Sequence, residues 1–399
     1  MMEYQSFDPA PCGFPKPRVP VLPLLGGSSL GLHRQARLLA LAQAPNARFY
    51  TRGRYAMTEA YRLCGVGAGS TLLAPAYHCR TMLDPAIRLG ADVVLYPLGQ
   101  DLKPDLEGLA ACVAKCAKPV SALLVTHYFG FRQPLTELLE WCRSVHIDLI
   151  EDCSHCLFLP CAQDDLGRQA RYSVSSPYKF FPIEEGGVLW ANHDGDLPAR
   201  RPEAQGLVRE LKGMARALQR AVAATPALDL NLPDQATANS PETPVSTGYD
   251  RLQVTAGHSG QYEVAAEHLG GLASSALAMR HTRLDRLVAR RRSNYGAWAQ
   301  CVAHLPNCHA LYPDLPEGTV PYMFALHIAR PDVHFFALKR LGVPVWRWDD
   351  MAISGCGVSM NYRTHLLHLP CHQELTEQQM QWMMSAVAAV MAMVAAEVV

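Results

Sequence analysis

Short β-rich runs alternate with helical stretches through the first half of the chain. The predicted helices begin after Thr58, Thr81, Leu106 and Gln133. The predicted strands are Thr71–Tyr77, Asp92–Pro97, Ala122–His127, Asp148–Asp152, Tyr172–Ser175 and Gly187–Ala191. Alternation of this kind is typical of βαβ units, so we expect an α/β fold whose large domain has a mixed, mostly parallel sheet flanked by helices.

The pattern changes in the second half. Helical stretches at 254–277 and 274–302 precede a strand-like run at 322–329, a helix at 333–341 and a strand at 343–348. This mixture predicts a smaller α+β domain at 249–399. Residues 1–30 contain six prolines and three glycines and predict an extended N-terminal arm. Residues 31–224 then form the large domain, and residues 225–248 a long loop that links the two domains.

Composition and charge indicate a globular protein of two domains rather than a nucleic-acid-binding or membrane-anchored protein. A chain of 399 residues with 49% apolar content can form two domains with hydrophobic cores. The net charge of zero gives no basic field that would attract nucleic acid. The basic run at 280–292 has apolar residues interleaved, which predicts an amphipathic helix with a basic solvent face. Residues 380–399 are apolar but contain Gln381 and Ser385, which favours a buried terminal helix over a membrane anchor.

Cysteine usage and the N-terminus predict a cytosolic protein. The N-terminus lacks the basic and apolar regions of a secretion signal. The 13 cysteines are scattered without a regular framework, as is typical of reduced thiols. The group Cys153, Cys156 and Cys161 also suggests a metal or redox site. The second ligand pair that a zinc site needs is missing, so we expect no metal.

Lys179 has the sequence surroundings of a Schiff-base lysine. It lies between a hydroxyl-rich segment, 172–176, and a glycine pair that opens an apolar strand. Hydroxyls and backbone N–H groups just upstream suit the phosphate of pyridoxal 5'-phosphate, and an amine held against a carbonyl can form the imine. Asp152 ends a strand, where α/β proteins bind ligands, and its carboxylate would keep the cofactor's pyridine nitrogen protonated. An Asp that caps a turn is the alternative.

With these motifs in this order, the chain resembles the DegT/DnrJ/EryC1/StrS sugar aminotransferases, which are pyridoxal-phosphate enzymes of fold type I. The resemblance covers roughly residues 48 to 396, and five blocks in the family's order carry it. They are residues 73–81, 86–96, 123–130, 151–155 and 366–376. The resemblance implies a fold-type-I transferase in which Lys179 and Asp152 are the catalytic residues.

A phosphate site is predicted at Gly53, Arg54 and Tyr55. A glycine turn before an amphipathic helix leaves N–H groups and the positive end of the helix dipole facing the turn. Gly53 matches the family, whereas Arg54 and Tyr55 depart from it. Arg54 is either a bidentate phosphate contact or a surface charge. The family's phosphate-binding serine falls on Val174, so Ser173, Ser175 or Ser176 must serve instead, and Ser175 is our candidate by a shift of one residue.

The resemblance also implies contacts to the cofactor ring. The family's stacking aromatic aligns with Cys79, which cannot stack, so Tyr77 or His78 would substitute. A plain core tyrosine is the alternative for Tyr77. His155 lies where the family places Gln or His near the cofactor's phenolic oxygen.

The function implied is a ping-pong transamination. Lys179 would bind the cofactor and move the proton, glutamate would be the amino donor, and a keto sugar, usually nucleotide-linked, would be the acceptor. The active site would lie at the interface of a homodimer. The family usually has Asn where this chain has Phe180, which predicts a more apolar pocket. Candidate substrate anchors are Arg347, Asn361 and Arg363, each of which is also a plausible surface residue.

Two other interpretations stay open. One is a pyridoxal-phosphate lyase or dehydratase on the same fold, although sugar dehydratases that resemble this family replace the lysine by His. The other is a cofactor-binding regulator without turnover, which Phe180 and the missing stacking aromatic favour.

Overall fold

The computed structural model describes residues 2–26, 29–31, 36–159, 165–192, 196–223, 252–256 and 260–393. The strands of this part of the chain are β1 Glu3–Phe7, β2 Ala47–Tyr50, β3 Thr71–Pro75, β4 Asp92–Tyr96, β5 Val120–Thr126, β6 Asp148–Asp152, β7 Tyr172–Ser175, β8 Gly187–Ala191, β9 Leu252–Ala256, β10 Cys308–Ala310, β11 Met323–Ile328, β12 Met351–Ala352 and β13 Leu366–Pro370. The helices are α1 Ala36–Gln43, α2 Gly53–Leu63, α3 Asp84–Arg88, α4 Leu106–Lys115, α5 Thr136–Ser144, α6 Leu207–Ala223, α7 Ala273–Arg280, α8 Leu284–Val302, α9 Pro331–Arg340, α10 Gly357–His365 and α11 Glu377–Met391.

A seven-stranded sheet organises the first half of the chain. Its order is β2-β8-β7-β6-β5-β3-β4. The five strands from β7 to β4 are parallel, and β8 is antiparallel to both of its neighbours. Strands β3, β7 and β8 are buried along their whole length, as expected when elements cover both faces of a sheet. All six strands predicted for this region are confirmed, and β6, β7 and β8 have the predicted bounds.

A three-stranded antiparallel sheet, β10-β11-β13, forms the centre of the smaller domain. Helices α8 and α11 pack on each other, and α9 packs on α11. The predicted strand at 322–329 is confirmed as β11, and the predicted helix at 333–341 as α9. The expected terminal helix is α11, which buries Trp382 and Met383. No helix of the described residues is long and apolar enough to cross a bilayer.

Three local predictions for this half are wrong. The segment 343–348 forms only a bridge between Trp346 and His368, since Pro344 has no N–H to donate to a ladder. The stretch at 274–302 is two helices, α7 and α8, separated at 281–283. Arg291, expected on a basic solvent face, is completely buried.

One more segment, 254–277, was predicted wrongly because part of it belongs to a third sheet. The stretch at 254–277 was expected to be helical, yet it begins with β9, which pairs with β1. The order of this sheet is β12-β1-β9, so the N-terminal arm contributes its central strand. The partners β1 and β9 are about 250 residues apart, and such pairing leaves no local periodic signal. The predicted loop at 225–248 lies outside the described residues.

The buried carboxylate of Glu151 binds the backbone of a neighbouring loop. It accepts hydrogen bonds from the backbone N–H groups of Gly167, Gln169 and Ala170 at 2.8–2.9 Å. Its Oε2 is also 3.0 Å from His127 Nε2. His127 Nδ1 accepts from Gln133 N at 2.9 Å, which assigns the ring proton to Nε2. One carboxylate therefore fixes two loops at the edge where the site lies.

We predict that Glu151→Gln lowers the free energy of unfolding by about 1.5–3 kcal/mol, because an amide cannot accept hydrogen bonds through both of its heavy atoms. Denaturant unfolding measures the change. The matched control is Glu140→Gln on the exposed face of α5, which should change stability by no more than about 0.5 kcal/mol. Equal stabilities of the two variants would contradict the anchoring role.

Candidate functional site

A cavity lies at the carboxyl ends of the parallel strands. Parallel strands end at the same edge of a sheet, so residues far apart in sequence meet there. The lining comes from the start of α2, from the turns after β3, β5, β6 and β7, and from one loop of the smaller domain. Its residues are Arg52, Gly53, Arg54, Met57, Cys79, Thr81, Met82, Thr126, Asp152, Ser154, His155, Ser176, Tyr178, Lys179 and Trp348.

Lys179 and Asp152 both line this cavity. Lys179 ends a single 3₁₀ turn, Pro177–Lys179, and its Nζ is 5.4 Å from the centroid of the Tyr322 ring. Asp152 is the last residue of β6 and is buried, and its Oδ1 accepts a hydrogen bond from Ser154 N at 2.9 Å. A primary amine and a buried carboxylate therefore face the same space.

Arg291 holds the turn that carries the lysine. From α8, its Nη2 donates to the carbonyl oxygen of Lys179 at 2.9 Å, and its Nε donates to Gln373 Oε1 at 2.8 Å. Gln373 Nε2 in turn donates to the carbonyl oxygen of Phe180 at 2.8 Å. Two consecutive carbonyl groups are thus bonded to the smaller domain, which fixes the backbone beneath the lysine.

The start of α2 lines one end of the cavity. Arg52 is at the N-cap, and no side chain caps the helix. Gly53 lies so close to Ser176 that a Cβ there would collide with the Ser176 hydroxyl. The exposed N–H groups, the helix dipole and this hydroxyl together suit a phosphate. Arg54 lines the same end, but its guanidinium also donates to the backbone carbonyl of Gln261.

The structure places Ser176, rather than Ser175, in the cavity wall. Ser176 Oγ is 3.1 Å from Ser154 Oγ, another lining hydroxyl. Ser175 is the last residue of β7 and is buried outside the lining, with no hydrogen-bond partner for its hydroxyl among the described residues. Successive side chains of a strand alternate between faces, so a shift of one residue changes which hydroxyl reaches the cavity.

His155 lines the cavity as a neutral imidazole. Burial, followed by the neighbouring charges of Lys179 and His368, holds the pKa of His155 well below its usual value. Its Nδ1 lies 3.5 Å from the backbone N–H of Phe129, which assigns the proton to Nε2. His155 can therefore donate a hydrogen bond to an oxygen in the cavity without carrying a charge.

Three predicted cofactor contacts do not reach the lining. Tyr77 is buried, and its hydroxyl lies 3.0 Å from His368 Nε2. His78 is also buried, and desolvation lowers its pKa to about 4. Tyr55 lies on another face of α2, where its hydroxyl accepts from Glu263 N at 3.4 Å. Of the ring contacts predicted from sequence, only His155 is in the wall.

Trp348 lines the cavity, although sequence analysis did not identify it as part of the site. Its indole packs on Tyr77 with a centroid distance of 4.5 Å and on His155 at 5.5 Å. Two backbone hydrogen bonds between Trp346 and His368 hold the loop on one side. Arg363 donates twice to the carbonyl oxygen of Asp349 on the other side. The pair Trp346 and Trp348 was the available signal, but its position depends on how the domains pack.

Phe180 and the three candidate substrate anchors contact other protein groups and do not reach the cavity. Phe180 is in the core, 4.4 Å beneath the Arg291 guanidinium, so it does not make the cavity more apolar. Arg347 pairs with Asp349, and Arg363 also donates to Gln5 Oε1 at 2.8 Å. Asn361 Oδ1 lies 3.0 Å from His327 Nε2. None of the four lines the cavity.

The sequence model of the DegT/DnrJ/EryC1/StrS aminotransferase family matches residues 36–234. An aminotransferase, TlmJ, from Streptoalloteichus hindustanus is 19% identical, with 94% of this chain and 99% of that chain covered and a TM-score of 0.61. A putative sugar aminotransferase from Streptococcus pneumoniae in its PLP form is 14% identical over 92% and 93% of the two chains, with a TM-score of 0.59. A 3-amino-5-hydroxybenzoic acid synthase is 16% identical over 89% and 88%, with a TM-score of 0.58. The fold is that of fold-type-I pyridoxal-phosphate aminotransferases.

We predict that Gly53→Ala weakens binding of pyridoxal phosphate by about tenfold or more, because the new Cβ displaces the Ser176 hydroxyl from the anion site. Titration of cofactor into the apoprotein, followed by absorbance, measures the change. Gly69→Ala is the matched control, since a Cβ at Gly69 meets no atom within 4 Å. Unaltered affinity in Gly53→Ala would place the phosphate elsewhere.

Proposed function

The chain belongs to the DegT/DnrJ/EryC1/StrS aminotransferase family, and from this premise we propose that it transfers an amino group from glutamate to a nucleotide-linked keto sugar. The chain is a pyridoxal-phosphate-dependent aminotransferase. The observation that carries the proposal is that Lys179, Asp152 and the start of α2 open into one cavity. Sugar aminotransferases among the similar folds support the sugar acceptor.

The residues present fit pyridoxal phosphate. Gly53 leaves room that any side chain would fill, at a helix start suited to an anion. Thr126 lines the cavity beside Asp152, and its buried hydroxyl has no hydrogen-bond partner among the described residues. A buried polar group without a partner is costly unless a ligand satisfies it. Lys179 and Asp152 supply the amine and the carboxylate that the cofactor requires.

Each residue then has a task in the transfer. The bound cofactor supplies an electron sink for the bonds at the substrate's Cα. Asp152 holds the proton of the pyridine nitrogen, and the His155 N–H donates to the phenolic oxygen. The start of α2 and Ser176 bind the phosphate. The Lys179 amine would hold the cofactor and, once the amino donor has freed it, would be the base that takes the proton from the substrate's Cα and returns it during the transfer.

A homodimer is part of the proposal, and α6 supports it. The helix carries a stripe of exposed apolar side chains, each at least 55% exposed: Leu207, Val208, Leu211, Met214, Leu218 and Val222. Its opposite side packs on α7 through the close approach of Gly213 to Leu272. Contiguous exposed apolar surface of this kind marks an interaction site, and obligate homodimers bury more than about 2,000 Å². We propose that a second copy covers this stripe.

A cytosolic location completes the proposal. It rests on the scattered cysteines, whose number and spacing are typical of a reducing compartment.

The first test uses the holoenzyme and glutamate. The absorbance of the pyridoxal form should convert to that of the pyridoxamine form, and addition of a nucleotide-linked keto sugar should reverse the change. Lys179→Ala should abolish both the conversion and the borohydride-stable cofactor adduct, whereas Lys118→Ala, on the surface beside Asp92, should keep both. An adduct on another lysine would remove the basis of the assignment.

Asp152→Asn tests the role of the carboxylate independently of the role of the lysine. This variant should keep the adduct but slow the conversion by about a hundredfold or more, equivalent to about 2.7 kcal/mol of transition-state stabilisation. The reason is that an amide cannot hold the proton of the pyridine nitrogen. A near-normal rate would show that Asp152 has only a structural task.

The dimer is tested on α6. The double variant Leu211→Glu/Leu218→Glu should be monomeric in analytical ultracentrifugation, because charges in the stripe would have to be desolvated at the interface. Gln219→Glu adds a charge to the same helix outside the stripe and should leave the dimer intact. If the double variant remains dimeric, the stripe on α6 is not the dimer interface.

A further inference from the structure

A second groove, with a volume of about 500 Å³, lies away from the cofactor cavity. It is enclosed by α1, β2, the segment 201–204 and α7. Three arginines line it: Arg48 from β2, Arg201 from the segment and Arg280 from the end of α7. Because these elements are separate in sequence, the folded chain concentrates three positive charges around one concave surface.

Two acidic side chains beside this groove have partners other than its three arginines: Glu203 pairs with Arg200, and Glu210 accepts hydrogen bonds from Ala273 and Ser274. No salt bridge joins Arg48, Arg201 or Arg280 to an acid within the described parts of the chain. The sequence contains no Asp or Glu from residue 9 to residue 58, which includes α1 and β2. Burial, followed by the charge of Arg201, lowers the pKa of Arg48. The guanidinium groups of Arg48 and Arg201 therefore repel each other, and an anion between them would relieve the repulsion.

Arg48 is fixed in place rather than mobile. It is only 6% exposed, and its Nη1 donates to the carbonyl oxygens of Pro45 and Ala47 at 2.9 Å. Its Nε has no hydrogen-bond partner among the described residues, and the same holds for Arg280 Nε. Carbonyl dipoles orient the Arg48 guanidinium but leave its charge unpaired. A buried cation without a counter-ion is strongly unfavourable unless a ligand supplies the charge.

The remainder of the lining is apolar. Leu38, Phe49 and Leu272 line the groove, and Leu277, which is 50% exposed, stands at its margin. A fully hydrated inorganic anion would gain nothing from these side chains, whereas a ligand with an apolar portion would bury it there. The charge and the apolar lining together define an amphiphilic site.

We propose that this groove binds a small organic anion, with a phosphate or carboxylate group among Arg48, Arg201 and Arg280 and an apolar portion against Phe49 and Leu272. The anionic group takes bidentate hydrogen bonds from Arg201 and Arg280, as planar arginine side chains favour. Arg48 contributes mainly its charge, because its Nη1 and Nη2 already donate to the carbonyl oxygens of Pro45, Ala47 and Pro198. The site is separate from the amino-transfer site and does not depend on the proposed acceptor.

The test is calorimetric titration of the holoenzyme, with cofactor bound so that the phosphate site at α2 is filled. The probes are hexyl phosphate, hexanoate, inorganic phosphate and hexanol. Hexyl phosphate or hexanoate should bind at least about tenfold more tightly than inorganic phosphate or hexanol. The ratio of the dissociation constants of hexyl phosphate and hexanoate tells which head group is preferred. Arg201→Ala and Arg280→Ala should each weaken that binding by about tenfold.

Two further measurements make the result decisive. Arg216→Ala, an exposed arginine on α6, is the control and should leave binding unchanged. Arg201→Glu should abolish binding and raise the Tm of the ligand-free enzyme, because it supplies the missing negative charge. Absence of tighter binding by both amphiphilic probes, or binding that Arg201→Ala and Arg280→Ala do not change, would overturn the proposal. Loss of the dimer in these variants would also overturn it, because the groove would then be a subunit contact.

Discussion

The buried guanidinium of Arg291 joins the two halves of the active site. It donates to the carbonyl oxygens of Lys179, Pro321 and Tyr322 and to the side chain of Gln373. Burial lowers its pKa to about 10, so it is charged at neutral pH, and the Phe180 ring 4.4 Å away adds a cation–π contact. Its hydrogen bonds to Gln373, Pro321 and Tyr322 are buried. Removal of this one side chain would leave several buried carbonyl groups without a donor.

This constraint fixes the backbone that carries Lys179, the candidate Schiff-base lysine. The backbone of Lys179 is bonded to the smaller domain, whereas its amine faces the large domain's strand ends. The smaller domain also supplies Trp348, whose loop is held by backbone bonds to β13 and by Arg363. The site is therefore shared between the domains, and its geometry depends on how they pack.

The strand-end turns are rigid for a related reason. Glu151 satisfies three backbone N–H groups from one loop and His127 from another, and it lies directly before Asp152. His155 and His368 are kept neutral, since burial holds the pKa of His155 far below its usual value and lowers that of His368 to about 3. The cavity thus places the neutral imidazole of His155 beside the ionisable side chains of Asp152 and Lys179. Such preorganised surroundings suit proton transfer at a single amine.

The sequence by itself determined the parallel strands, the order of the motifs and the candidate pair Lys179 and Asp152. Buried parallel strands are continuous apolar runs, and a strand end followed by a polar residue is a local feature, so both can be recognised without coordinates. Only the tertiary structure decided which side chains reach the cavity. Ser176 rather than Ser175 lines it because a shift of one residue reverses the face of a strand. Trp348, the Arg291 clamp and the pairing of β1 with β9 depend on contacts between residues far apart in sequence, which no local pattern records.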